Sequence, residues 1–219
     1  GLVMGHEYSG IVIDNGGRED LKEGDRVTAL PISPCGKCEA CLKGNIHYCK
    51  ETWAHASGLS LDNSGGLAPM LKVRSDMVLK LPDNMSDKEG ALVEPTAVGY
   101  HAINLANIKV GDNVLVVGGG IIGLVSAMFA KKSGASQVIV SEANESRGEM
   151  AVKLGVADAW IDAKNQDEMN KYVGTFDKVI ECCGNTPAVN SALTLVKAGG
   201  TVVLVGVSMT PINYSSIAH

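Results

Sequence analysis

The sequence predicts an α/β protein, a doubly wound parallel sheet joined to a second, smaller and mainly antiparallel β domain. Three observations lead there. From Asn113 onward, short apolar β-like runs alternate with helix-length stretches, the pattern of parallel strands linked by helical crossovers. Before about residue 81 the chain carries only short β-like runs, separated by turn signals such as Asn15-Gly16-Gly17 and Asn63-Ser64-Gly65-Gly66. At the start of the alternating half stands Gly118-Gly119-Gly120-Ile121-Ile122-Gly123, a strand-to-helix glycine turn.

In chain order, strands are expected at 8–13, 25–30, 67–73 and 77–81, forming the antiparallel domain. Residues 86–107 have helical spacing, with Ala91, Leu92, Ala97, Val98 and Ala102, and link the halves. Then follow strand 114–117, helix 121–132, strand 137–141, helix 145–154 and strand 159–161. Strand 178–182, helix 187–196 and strand 201–205 end the series. The expected domains are 1–107, β-rich, and 108–219, dinucleotide-binding, each partial.

Composition narrows the function classes. Of 219 residues, 45% are hydrophobic and 20% charged, enough apolar surface for a packed core and too much for a disordered chain. Nineteen basic residues face 24 acidic ones, a net charge of −5, which disfavours a partner held through its phosphates, so no nucleic acid is expected. The first residues include His6 and Glu7 and no apolar core, so no signal peptide is read there and a cytoplasmic location is expected. The uncharged run 114–130 is 17 residues long and broken by three consecutive glycines, so a buried strand, a turn and a packed helix explain it better than a membrane span.

The glycine turn follows an apolar strand and opens a helix, the context that gives the motif its meaning. Gly118 makes the tight turn, Gly120 lets the backbone approach a pyrophosphate, and Gly123 brings helix and strand together. The phosphates then lie on the helix N-terminus, where free N–H groups and the helix dipole favour an anion. Glu142 ends the next strand at about the 20-residue interval the motif requires, and its carboxylate can accept hydrogen bonds from ribose hydroxyls. A glycine-rich turn beside an unrelated surface glutamate is the plain alternative.

Four of the six cysteines, Cys35, Cys38, Cys41 and Cys49, form C-x2-C-x2-C-x7-C. Thiolates at this spacing can converge on one tetrahedral zinc and close a loop too short for a core of its own. Four thiols leave no open coordination position, so such a site is structural. Two disulfides or four free thiols are the other readings. His47 lies inside the cluster as a bystander; Cys182 is read as a packing residue, and His55, His101 and Trp53 as core or surface residues without a motif.

Gly5-His6-Glu7-Tyr8-Ser9-Gly10, the four cysteines, Val93-Glu94-Pro95 and the glycine turn, in that order, resemble the zinc-containing medium-chain alcohol dehydrogenases. Glu94-Pro95 resembles their polyol, butanediol and threonine dehydrogenase branch. The resemblance covers essentially the whole chain. It implies a GroES-like domain followed by a Rossmann domain. His6, Glu7 and Glu94 are then the candidate catalytic residues and ligands of a catalytic zinc, with either Glu7 or Glu94 as the direct carboxylate ligand. Cys35, Cys38, Cys41 and Cys49 match the lobe holding a structural zinc. Gly118, Gly120, Ile122, Gly123, Glu142 and Arg147 match contacts to NAD, and Gly206 and Val207 lie near its nicotinamide.

The activity so implied is hydride transfer between a secondary alcohol or polyol (sorbitol-, butanediol- or threonine-like) and NAD, with zinc as Lewis acid at the alcohol oxygen. The implied partners are a small alcohol and a second copy of the chain, as dimer or tetramer, with no membrane. Family members carry a cysteine ligand and a proton-relaying Ser or Thr upstream of the Gly-His-Glu motif, and continue past the last strand seen here. The chain is therefore expected to be an internal portion of a longer enzyme, with low activity alone. A non-catalytic NAD-binding module or redox-sensing paralogue stays open; the presence of His6, Glu7 and Glu94 together argues against it.

Overall fold

The computed structural model describes residues 1–214. The chain divides into two compact units, Gly1–Glu94 and Pro95–His219.

In the first unit, strands β1 (Gly10–Ile11), β2 (Arg26–Ala29) and β3 (Val78–Lys80) form an antiparallel sheet in that order, with Gly10 opposite Val27 and Val27 opposite Lys80. Its small core is Leu21, Ala29 and Val78, packed against Tyr8, Val27 and Val73. The expected strand at 67–73 does not form. Leu67 gives its N–H to the Met4 carbonyl (3.0 Å), and Pro69 has no N–H to give, so this segment follows the N-terminal residues without entering the ladder. A short helix α1 (Glu39–Leu42) and a single 3-10 turn, Ile46–Tyr48, shape the cysteine lobe.

The expected helix 86–107 is two helices, α2 (Asp87–Ala91) and α3 (Val93–Ala106). Ser86 caps α2 in a reciprocal box with Glu89. Pro95 explains the break: in a continuous helix its missing N–H and its ring would face the Ala91 carbonyl one turn back. The boundary between the units lies at the start of α3, whereas the sequence suggested its end, at 107/108. Ala102, Ile103 and Ala106 of α3 belong to the same core as Val114 and Val116, so the helix goes with the second unit.

That unit runs β4 (Asn113–Val117), α4 (Ile121–Lys132), β5 (Gln137–Glu142), α5 (Glu145–Lys153) and β6 (Ala159–Asp162). It continues with α6 (Gln166–Asn170), β7 (Phe176–Glu181), α7 (Thr186–Leu195) and β8 (Val196–Leu204). All five strands are parallel in the order β6-β5-β4-β7-β8, with the direction of winding reversing between β4 and β7. Val114, Val116, Val138, Val140 and Ile180 fill one face; Leu115, Ile139, Ile161 and Val179 fill the other. Each such side chain contributes about 1.5–3 kcal/mol on burial, which is why these strands read as continuous apolar runs. The uncharged run 114–130 is thus β4, the glycine turn and most of α4. Among the described residues no helix is long and apolar enough to cross a membrane.

Candidate metal centres and dinucleotide site

The four cysteine sulfurs lie within 4.8 Å of one another, and the Sγ atoms of Cys38 and Cys41 are 3.5 Å apart. A tetrahedral zinc with Zn–S bonds of about 2.3 Å needs sulfurs roughly 3.8 Å apart, so the donor set fits that ion. Backbone N–H groups support it: those of Cys35 and Glu51 hold the Cys49 thiol down to about 6, and those of Lys37 and Cys38 lower Cys35. Burial and the Cys38 thiol push Cys41 up to about 12. Four thiols this close cannot all ionise without a cation among them. His47 is outside the cluster, its ring tilted against that of Tyr48 with centroids 4.0 Å apart.

Residues the sequence did not flag anchor this lobe. Arg74 donates to the Pro34 carbonyl (2.6 Å), just before Cys35, and makes a two-pronged pair with Asp76. Thr52, fully buried, donates to the Ile46 carbonyl at 2.5 Å.

His6, Glu7 and Glu94 also come together: one donor atom from each lies within 4.8 Å of the other two. Segment 56–67 folds tightly over the chain just before His6. A Cβ on Gly58 or Gly65 would stand 2.3 or 2.4 Å from the Gly5 carbonyl oxygen, so both must be glycine for this approach. Gly65 and Gly66 donate to the Val3 and Gly5 carbonyls, both at 2.8 Å. Glu94 sits in the first turn of α3; burial raises its carboxyl, as does the Glu7 charge, while His6 opposes the rise. One imidazole and two carboxylates suit a divalent ion that keeps a coordination position free.

In the second unit the glycine turn has the geometry its spacing predicts. Gly118 has φ +105°, and its N–H reaches the Ser141 carbonyl at 2.8 Å. A Cβ on Gly123 would sit 1.8 Å from the Gly118 oxygen, so α4 can lie on β4 only with glycine there. Gly120 differs. It caps α4 with φ −73° and ψ −177°, and no protein atom lies within 4 Å of where its Cβ would be. The packing of the chain therefore makes no demand for glycine at 120, and the backbone there stays open to close approach. Ile122 is in the first turn of α4. Glu142, ending β5, accepts the Gly119 N–H at 2.6 Å through Oε2 and the Asn144 N–H at 2.9 Å through Oε1. Arg147 is exposed on the first turn of α5. Gly206 and Val207 follow β8, beside Gly184.

Cys182 lies just past β7 against the core, and burial pushes its thiol up to about 12, which suits packing and not nucleophilic chemistry. Trp53, His55 and His101 are exposed, and His55 Nδ1 pairs with Asp62 Oδ2 at 2.6 Å.

Comparison with known proteins follows the same two-part division. Residues 1–83 match the alcohol dehydrogenase GroES-like domain, and residues 122–218 match the zinc-binding dehydrogenase family. The chain is 36% identical over 215 residues to a sorbitol dehydrogenase of Bombyx mori, covering 94% of this chain and 61% of that protein. It is 36% identical over 226 residues to a protein named D-xylulose reductase A in Aspergillus clavatus, covering 99% and 62%. A crystal structure from Sinorhizobium meliloti 1021, described as a zinc-binding dehydrogenase bound to NADP, superposes with a TM-score of 0.88 at 32% identity, covering 97% of this chain and 64% of that one. The chain thus spans about six tenths of the length of these relatives. With a GroES-like sheet, a five-stranded dinucleotide fold and both cysteine and His-Glu clusters in family order, the chain belongs to the zinc-binding medium-chain alcohol dehydrogenases.

Proposed function

We propose that this chain carries the metal and cofactor residues of a zinc-dependent oxidoreductase that moves a hydride between a secondary alcohol or polyol and NAD. The observation that carries this reading is the convergence of His6, Glu7 and Glu94, three ligand-type side chains drawn together from the two ends of the first unit. A zinc bound there supplies Lewis-acid polarisation of the substrate oxygen, and a bound nicotinamide supplies the hydride acceptor or donor.

The chain's own residues do the holding and orienting. His6 offers a neutral ring nitrogen, while Glu94 and Glu7 offer carboxylate oxygens, only one of which is needed as a direct ligand. Cys35, Cys38, Cys41 and Cys49 hold a second zinc that closes the 33–50 lobe. The N-terminal amides of α4, with Gly118, Gly120, Ile122 and Gly123 around them, receive the pyrophosphate. Glu142 accepts hydrogen bonds from the adenosine ribose, Arg147 is a further cofactor contact, and Gly206 and Val207 border the nicotinamide. Residues 1–94 are read as the metal-binding part and 95–219 as the cofactor part. A hydroxyl-rich substrate fits the names of the sorbitol dehydrogenase and D-xylulose reductase relatives. The relative solved with NADP does not set the cofactor here; a carboxylate at 142 opposes a 2′-phosphate. The working form is read as a cytoplasmic homo-oligomer, dimer or tetramer, with no membrane or nucleic-acid partner.

The test is zinc content together with NAD-dependent oxidation of sorbitol, xylitol, butanediol and threonine by the protein containing this chain, beside its His6→Ala variant. Zinc at two sites, turnover with at least one polyol and loss of turnover in the variant are expected. NAD binding with neither a second zinc nor alcohol oxidation would instead identify a non-catalytic nucleotide module.

A further inference from the structure

Glu181 is the last residue of β7, and it is fully buried. Its Oε1 accepts two consecutive backbone N–H groups, from Cys183 at 2.7 Å and Gly184 at 2.9 Å. Its backbone carbonyl accepts two more, from Val205 at 2.8 Å and Gly206 at 3.0 Å. One residue thereby stitches together the turns that leave β7 and β8.

Those turns meet backbone to backbone. Gly184 has φ +70°, and a Cβ on it would lie 2.5 Å from the Val207 carbonyl oxygen. A Cβ on Gly206 would lie 2.0 Å from the Gly184 nitrogen. The other carboxyl oxygen, Oε2, is buried without a hydrogen-bond partner. A carboxylate placed so is costly for the fold, and an apolar side chain would serve the core better. What Glu181 provides and an apolar side chain cannot is an acceptor oxygen that satisfies two adjacent amides at one point, which fixes the turn they belong to.

The sheet order says what that turn is for. Glu142 ends β5 and Gly118 follows the end of β4, on one side of the point where winding reverses; Glu181 and Leu204 end β7 and β8, on the other. A dinucleotide lies across the carboxyl ends of the strands at such a reversal. With its adenosine at Glu142, its second half falls on the β7 and β8 turns. We propose that Glu181 is a positioning residue that holds these two turns in the shape that receives the nicotinamide half. This rests on the dinucleotide reading of the site.

The test compares Glu181→Gln with Glu181→Asp. Glutamine keeps an acceptor oxygen at the same reach without the charge, whereas aspartate keeps the charge and cannot reach both amides. NAD and AMP affinities are measured by calorimetry, and amide exchange at 183–184 is measured without nucleotide. For Asp, NAD affinity is expected to fall about tenfold or more with AMP affinity within about twofold, and the two amides to exchange faster. Gln is expected to stay within about threefold of wild type in NAD affinity and to keep the amides protected. Equal weakening of NAD and AMP by Asp, unchanged NAD affinity in Asp, or a Gln variant worse than Asp overturns the assignment of Glu181. A wild-type chain that binds neither nucleotide overturns the dinucleotide reading, and the proposal with it, whatever the exchange result.

Discussion

The Gly119 backbone N–H donates to Glu142 Oε2 at 2.6 Å, tying the middle of the glycine turn to the end of the neighbouring strand. This bond fixes the glycine turn and the Glu142 carboxylate, the two groups proposed to receive the adenosine half, relative to each other. It also places a carboxylate on the turn with little freedom to swing away, since Asn144 N–H holds its other oxygen at 2.9 Å. A 2′-phosphate brought there meets like charge at close range.

Glu142→Ala should therefore weaken NAD binding and narrow the preference for NAD over NADP by roughly tenfold, about 1.4 kcal/mol. Arg147 on the first turn of α5 works in the same direction once the carboxylate is gone. Paired titrations of wild type and variant with both cofactors measure it. Tighter NADP than NAD binding by the wild type would refute the assigned role of Glu142.

For the cysteine lobe, metal removal should have a local effect first. The lobe buries little apolar surface of its own: α1 and the 3-10 turn Ile46–Tyr48 contain no buried residue. One zinc per lobe is expected, and stripping it with a strong chelator should raise amide exchange over 33–50 while β4 to β8 stay protected. Cys38→Ser should do the same without a chelator. Disulfides among these four cysteines in freshly purified, metal-replete protein would sink the assignment.

The second unit was largely legible in the sequence because its physics is local. Buried parallel strands must be apolar on both faces, and the glycine turn marks where the first one ends. Helix α4 was readable to the residue, and β5 and α5 to within one. Helix α6 was not anticipated: it has five residues and depends on the Asn165 side chain accepting the Glu168 N–H at 3.1 Å. The first unit was harder. Its strands are two to four residues long, and whether 67–73 pairs depends on contacts with residues 4 and 5 that no periodicity encodes. The His6, Glu7 and Glu94 convergence was accessible only through family resemblance, because nothing local joins positions so far apart in the chain. Glu181 left one signal that went unread, an acidic residue directly after the apolar pair Val179-Ile180 where the strand is fully buried.

A pH-dependent part of the second unit's stability should trace to Asp177. The Lys197 ammonium donates to its carboxylate and the Asn113 N–H adds a bond of 2.9 Å, both holding its pKa below the usual range for aspartate. A depressed folded-state pKa stabilises the fold above the unfolded value, near 3.9, and the benefit is lost as pH falls through the lower, folded value. Asp177→Asn should thus cost about 1 kcal/mol at pH 7. The gap between wild type and variant should close as pH falls below about 4. Urea unfolding at a series of pH values reads it directly, and a gap independent of pH would exclude the carboxylate as the cause.

The two metal centres should part company under chelation. Four thiolates are soft, charged donors that surround the ion, whereas His6 with Glu7 and Glu94 offers one nitrogen and hard carboxylate oxygens, and leaves coordination open to water. The centre is also more accessible, since Glu7 is exposed, whereas none of the four cysteines is exposed and Cys49 is buried. Zinc should therefore leave in two phases, the first assigned to His6, Glu7 and Glu94. His6→Ala and Glu94→Gln should each remove the fast phase and leave the slow one untouched; Glu7→Gln should accelerate it without abolishing it if Glu94 is the direct ligand. Metal analysis of each variant, with release followed by a colorimetric chelator, gives both stoichiometry and rate. A single release rate for both ions, or a His6→Ala variant that still holds two zincs, would remove these three residues from the metal.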